Sequence, residues 1–488
     1  MFKKIKDSLF TNVHTRQTVA KNVFWLSVGQ IGSRLFRALI IVYAARVLGA
    51  AEYGVFAYVL GLAGFFTIFA DIGVNATLTR EIAKKPDEAS QYFATAFWIK
   101  IALLIITAGL VIFVAPMFSK IEGVRALLPF MALLTAFDGL RELSASFFRA
   151  REKMELEALI TTSTNVAVTV FGFLILRLAT NAEALAITYA LSAGTGTIIG
   201  AIILRHQFAG VIKFFRKNLV RPILEVALPI AFLGIIAVFM LQTDILMLGF
   251  LKGPEDIGFY SAGQKIVQML YTLPAIFATS VFPVLSRLIG KNEREKTKSV
   301  IEQCVGSINM IGIPIVVGGI VLAKSIIFFL YGAEYLPAVL SFQVLALTPL
   351  IIFPSYFVGN YVFAYDGHKK MIIPVISGSL GNIVLNAILI PPFGIVGASI
   401  ATLGAQSIYQ GLQWRLAKQY NNFYTLRYLK KITIAVVAMG AFAFGFDKLG
   451  LHVIPNIIIS VGIYFGALYL LKEPLLFEVK NLIKSWRE

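Results

Sequence analysis

Charge is scarce in this 488-residue chain: Asp, Glu, Lys and Arg together make up 14%, against roughly a quarter in an ordinary soluble domain, while 58% of residues are hydrophobic. Cysteine is nearly absent. The single Cys304 excludes an intramolecular disulfide and any multi-cysteine metal site, and reads as a small packing residue. Only four histidines occur, His14, His206, His368 and His452, and they are scattered without the pairing that metal ligation needs. The start, Met1 to Lys21, lacks the apolar core and small-residue site of a cleavable leader and reads as a basic, amphipathic cytoplasmic helix lying on the membrane. Also missing is any polar stretch long enough for a soluble domain, so a membrane glycosyltransferase or polymerase, which needs a carboxylate or basic cluster on a sizeable outer loop, is not expected. The protein reads as no enzyme and as no nucleic-acid binder, because the formal charge of +18 is spread between apolar segments rather than gathered on one face.

What the chain has in abundance is apolar runs of about 20 residues, each able to cross a hydrocarbon core of about 30 Å. Their approximate bounds are 22–46, 53–74, 91–118, 124–146, 156–177, 182–205, 222–250, 258–286, 303–330, 336–365, 369–390, 393–417, 430–447 and 453–471. The expectation is therefore an all-α polytopic membrane protein of about 14 spans. Basic residues test the count, since a missed span would invert every later loop. They alternate as required: Lys84 and Lys85, Arg149 and Arg151, Lys213 to Arg221, Arg287 to Lys298, and Lys369 and Lys370 fall on one side, while the other holds only Arg46, Lys120, Arg125, Arg177, Lys252 and Lys448. Both ends are then cytoplasmic, in an inner or plasma membrane.

Two stretches repeat. Gly54-Val55-Phe56-Ala57-Tyr58 resembles Gly258-Phe259-Tyr260-Ser261-Ala262, and Leu78-Thr79-Arg80-Glu81-Ile82 resembles Leu285-Ser286-Arg287-Leu288-Ile289. Six spans are an even number, so the repeat is parallel, the arrangement of many alternating-access transporters. The expected layout is a cytoplasmic amphipathic segment (1–21), an N-lobe (22–215), a C-lobe (216–420), and a final helix pair with a cytoplasmic tail (421–488). Gly194 to Gly200 lies inside an apolar span with no preceding strand, and reads as close helix packing rather than a phosphate loop. The sequon-like Asn75-Ala76-Thr77 falls on the cytoplasmic side.

Arg34 and Arg37 lie about 12 and 15 residues into the first span, or about 18 to 22 Å deep. With Gln30 they follow i, i+4, i+7 spacing and share one face. A central Arg costs about 2.5–3.5 kcal/mol on insertion scales, so this face should point to water, a partner or an anionic ligand, or else pair with a helix carboxylate. Lys265 and Asp244 approach the same depth from the outer side; either they form a structural ion pair or they have a function. Asn382 and Asn386 share a face of the eleventh span, and Thr402 is on the twelfth. Where they approach Asp244 they offer one carboxylate and neutral oxygens, a set suited to a small cation such as sodium, although on spacing alone hydrogen bonding between helices is the preferred account of them. Lys100, Asp138, Arg141, Glu142 and Lys324 are nearer span ends, where snorkelling suffices.

Several strings share a resemblance: Leu48-Gly49-Ala50-Ala51-Glu52-Tyr53-Gly54, Asp71-Ile72-Gly73 with Arg80-Glu81, Gly258 to Ile266, and Asn382-Ile383-Val384-Leu385-Asn386 continuing through Ile390-Pro391-Pro392-Phe393-Gly394 to Thr402. Together they resemble the polysaccharide-transport branch of the multidrug/oligosaccharidyl-lipid/polysaccharide superfamily, the Wzx-type flippases, related to lipid II flippases and to multidrug exporters. The resemblance implies a flippase moving an undecaprenyl-diphosphate-linked oligosaccharide from the inner to the outer leaflet by alternating access, for export of a surface polysaccharide such as O-antigen. It implies Gln30, Arg34, Arg37 and Lys265 as contacts of the anionic diphosphate, no cofactor beyond Na+ or H+ as coupling ion, and membrane lipids, a polysaccharide polymerase and glycosyltransferases as partners. The related lipid II flippases have a sodium site whose helix pattern Asp244, Asn382, Asn386 and Thr402 match, except that Asn386 is neutral where a second acid is expected. Asp71, Arg80 and Glu81 fit either a cytoplasmic ion-pair gate between the lobes or a helix-end cap. A lipid II flippase and a cation-coupled drug exporter remain the alternatives, the exporters typically having twelve spans and a cavity suited to cationic drugs.

Overall fold

Runs of apolar residues interrupted by glycine and proline dictate helices, because a backbone in hydrocarbon must satisfy its own hydrogen bonds. The computed structural model describes residues 15–425 and 428–476, and among these every regular element is a helix. In chain order these are α1 (Thr15–Ala70), α2 (Val74–Lys84), α3 (Ala89–Gly109), α4 (Val124–Ala150), α5 (Met154–Leu178), α6 (Ala182–Ile203), α7 (Lys217–Leu251), α8 (Pro254–Leu270), α9 (Thr272–Gly290), α10 (Arg294–Val321), α11 (Ala323–Tyr331), α12 (Ala338–Leu345), α13 (Pro349–Ala364), α14 (Ile372–Lys418), α15 (Leu429–Lys448) and α16 (Val453–Leu470).

Eleven segments among the described residues are long and apolar enough to cross a membrane. Two of them hold two crossings each. The 56 residues of α1 would extend about 84 Å at 1.5 Å per residue, far beyond one bilayer, and Gly49 breaks the helix with φ 75° and ψ 173°. The 47 residues of α14 break likewise at Gly394, with φ 55° and ψ −131°. Both conformations favour a residue without Cβ. The further long helix, α4, carries five charged residues, Arg125, Asp138, Arg141, Glu142 and Arg149. Fourteen crossings follow, as the hydropathy pattern predicts. The amphipathic segment expected at the start lies outside the described residues through position 14; from Thr15 the chain is already part of α1.

The structure divides into two compact units, Met1–Gly258 and Phe259–Glu488. In the first, a cluster of Val74, Leu78, Phe93, Phe147, Phe148 and Ile160 joins α2, α3, α4 and α5. Glu52, just past the Gly49 break, accepts from the Ala182 backbone N–H at 2.7 Å and so caps α6, beside Asn181, whose Oδ1 accepts from Ala184 N–H at 2.8 Å. In the second unit, Leu285, Val305, Phe353, Phe357 and Tyr361 form the core, and α15 and α16 pack on α10 through Ile432, Met439 and Leu468. Tyr464 ties α16 to α10 by donating to the Met310 carbonyl at 2.7 Å.

Candidate functional site

The first half of α1 divides its surface three ways. Phe24, Val28, Ile31, Leu35 and Leu39 are exposed and apolar; Gly29, Ser33 and Ile40 are buried; Gln30, Arg34 and Arg37 are exposed and polar. At about 100° per residue the polar strip stands about 130° from the apolar one. An exposed apolar stripe and an exposed polar stripe thus coexist along the same turns of the helix. The guanidinium of Arg37 is anchored by its Nε, which donates to Asn165 Oδ1 on α5 at 3.1 Å. Asn165 is itself buried and oriented, its amide donating to the Thr161 carbonyl at 2.8 Å. The same two helices are joined by Thr169, whose hydroxyl donates to the Phe36 carbonyl at 2.9 Å. Arginine there is aimed by a neutral partner, so its full positive charge stays on the exposed face.

In the second unit, Lys265 is half-buried on α8, its ammonium 3.4 Å from Gln268 Oε1. Asn382 and Asn386 are fully buried one turn apart on α14, and the Asn386 amide donates to the Asn382 carbonyl at 2.9 Å. Beyond the Gly394 break, Thr402 Oγ1 donates to the Ala398 carbonyl at 3.0 Å and lies 3.0 Å from the hydroxyl of Tyr260, which Gln264 Nε2 approaches at 3.4 Å. Tyr260 and Gln264 were visible in the Gly258–Ile266 string without an assigned role; their i, i+4 spacing is the signal that they act together. Asp244 is 2% exposed on α7, in the first unit. Among the described residues no group of three or more His, Cys, Asp or Glu could hold a metal ion.

Asp71, Arg80 and Glu81 divide into two groups. Gly73, with φ 90°, starts α2, and Asp71 folds back to accept from Asn75 N–H at 3.2 Å and from the Asn75 amide at 2.9 Å. Its other partner is Lys100, 3.4 Å away. Arg80 instead meets Glu81 at 3.5 Å, and Glu81 meets Lys84 at 3.2 Å. Lys100 corrects the snorkelling expectation: its side chain is 1% exposed, buried against Asp71 rather than reaching for the interface. Glu142 is likewise engaged, sharing Arg149 with Glu157.

The sequence pattern of the polysaccharide biosynthesis protein family matches residues 19–289, and that of the MatE family matches residues 229–392. The chain is 24% identical over 484 residues to the probable low-salt glycan biosynthesis flippase Agl15 of Haloferax volcanii, covering 96% of this chain and 99% of that one. It is 24% identical over 406 residues to a putative O-antigen transporter of Escherichia coli (strain K12), covering 81% and 95%. Among solved structures, the lipid II flippase MurJ in an inward closed conformation superposes with a TM-score of 0.73 at 19% identity, over 92% of this chain and 99% of that one. An inward-facing multidrug resistance MATE family transporter gives 0.67 at 15% identity, over 80% and 94%. With more than half its length matched, the chain belongs to the polysaccharide biosynthesis protein family.

Proposed function

We propose that this protein is a flippase that moves a lipid-diphosphate-linked oligosaccharide, undecaprenyl-linked in the reading drawn from the sequence, from the inner to the outer leaflet by alternating access. The observation that carries the proposal is the exposed strip of Gln30, Arg34 and Arg37, set apart from the lipid-facing strip of the same helix. Two guanidiniums at mid-depth are costly unless they serve an anion, and their fork geometry matches phosphate oxygens. Lys265, on α8 of the second unit, is the further cation that the sequence reading assigns to the head group. In the second unit an apolar groove of about 400 Å³, bordered by Leu270, Pro314, Gly318, Met439 and Phe465, suits a polyprenyl tail. Relatives named as a glycan biosynthesis flippase and an O-antigen transporter support the substrate class.

The membrane is the plasma membrane, with both ends cytoplasmic, and the working partners are the polysaccharide polymerase and the glycosyltransferases that build the glycan. A cation, sodium or the proton, drives the cycle through Asp244, Asn382, Asn386 and Thr402. The test is translocation of a fluorescent lipid-diphosphate-linked oligosaccharide in proteoliposomes. Arg34→Ala and Arg37→Ala abolish it while the protein inserts normally; transport at the wild-type rate by both variants would sink the assignment. Rescue of a strain depleted of its lipid II flippase would move the substrate to the peptidoglycan precursor.

A further inference from the structure

A cavity of about 300 Å³ lies wholly within the first unit, between the second half of α1 and helices α2, α3 and α4. Asp71, Asn75, Lys100, Thr135, Asp138 and Glu142 line it. Lys100 enters about 16 Å along α3 and Asp138 about 21 Å along α4, so these ionisable groups sit deep in the span. Gly139 leaves the room: a Cβ there would come within 2.7 Å of Leu104 and 3.3 Å of Lys100 Cε.

Two independent observations give the cavity a sign. The first is where its hydrogens go. Asn75 gives its amide hydrogen to Asp71 Oδ2, Thr135 gives its hydroxyl hydrogen to the Met131 carbonyl at 2.9 Å, and the Lys100 ammonium lies 3.4 Å from Asp71. Besides the Lys100 ammonium, the polar groups that line the space are left with oxygens. Asn75 Oδ1 is buried, on a residue 5% exposed, and has no hydrogen-bond partner, an arrangement that costs free energy unless a donor or a cation completes it.

The second observation is charge. Arg141 pairs with Asp138 at 3.0 Å, and Arg149 pairs with both Glu142 and Glu157. Three carboxylates line the cavity, Asp71, Asp138 and Glu142, against one cation, Lys100; Arg141 and Arg149, which pair with Asp138 and Glu142, lie outside its lining. The lining itself therefore carries more carboxylate than ammonium charge. A cation meets oxygens from several helices here, and the Lys100 ammonium disfavours a guest of higher charge.

We propose that this cavity is a binding site for a monovalent alkali cation, with Asn75 Oδ1, Thr135 Oγ1 and the carboxylates of Asp138 and Glu142 as its oxygen ligands. The site is separate from the Asp244 set and does not depend on the flippase reading. Lys100 fixes Asp71 and limits the guest to a single charge.

The test uses the purified full-length protein carrying Asp244→Asn, which removes the other candidate site. Its melting temperature is followed in sodium or potassium chloride against choline chloride at equal ionic strength, with equilibrium binding of radioactive sodium as a direct readout. A saturable rise with sodium or potassium and none with choline is expected, and Thr135→Val and Asn75→Leu should each raise the half-saturating concentration by about tenfold. Should Asn75→Leu fail to accumulate, Thr135→Val decides alone, being close in shape and free of the capping bonds. Equal effects of alkali and choline salts, or an alkali response untouched by Thr135→Val, would overturn the proposal.

Discussion

Arg37 and Asn165 lie on different helices 128 residues apart in sequence, joined by a 3.1 Å hydrogen bond from the guanidinium Nε to the amide oxygen. The bond uses the edge of the guanidinium nearest the stem and leaves the head on the exposed strip. Asn165→Leu should therefore keep the charge and lose its aim. Translocation is expected to fall between that of the wild type and that of Arg37→Ala, with a stability loss of about 1 kcal/mol for one buried neutral hydrogen bond. Transport rates per inserted molecule, measured alongside membrane abundance, check this; a variant as inactive as Arg37→Ala would mean that Asn165 touches the substrate itself.

A second pairing fixes the entry of the chain into the first unit. Lys21, buried on α1, meets Glu155 of α5 at 3.0 Å and also reaches the Glu152 carbonyl at 3.4 Å. Removing one member of a buried pair leaves a stranded charge, at about 3–5 kcal/mol, whereas replacing both by apolar side chains is often close to neutral. Glu155→Gln should thus destabilise more than the double change Lys21→Met with Glu155→Leu. Thermal melting of the wild type and the two variants in one detergent makes the comparison, and a double variant weaker than the single one would refute the stranded-charge account.

The fourteen crossings and the arginine strip were legible in the sequence because each depends on local pattern: hydropathy over about 20 residues for one, helical spacing for the other. Span ends were less so. Residues 46–53 and 390–393 looked like loops, yet Gly49 within the first and Gly394 just after the second each turn an otherwise continuous helix. The Asp71–Lys100 pair was out of reach. Nothing local in α3 distinguishes a buried lysine from one that snorkels, since what buries it is a carboxylate returned by the Gly73 turn and a gap left by Gly139 on α4. Those relations join segments far apart in the chain.

Sodium dependence is the third expectation. With Asn386 neutral, the Asp244 set has a single carboxylate, and loss of that charge removes most of the attraction for a cation. Asp244→Asn should abolish any stimulation of translocation by a sodium gradient while leaving surface abundance unchanged. Flux measured with and without the gradient reads this directly. A wild-type protein indifferent to sodium but driven by a pH gradient would assign the coupling to protons.

Gly54 and Gly258, the matching glycines of the internal repeat, oppose each other within the first unit. A Cβ on Gly54 would stand 1.8 Å from the Pro254 carbonyl oxygen and 2.9 Å from Gly258 N, and one on Gly258 would stand 2.0 Å from the Ala50 carbonyl oxygen. The obstacles are backbone atoms, which cannot rotate aside. Gly54→Ala and Gly258→Ala should each cost at least about 1–3 kcal/mol, the usual range for overpacking, and lower the melting temperature by several degrees. Gly445, in α15, has open space where its Cβ would go, so Gly445→Ala should be neutral or stabilising by up to about 1 kcal/mol through helix propensity alone. Melting curves of the three variants separate steric contact from a general intolerance of alanine: if Gly445→Ala is as harmful as the other two, the close approach of the repeat glycines is not what sets the cost.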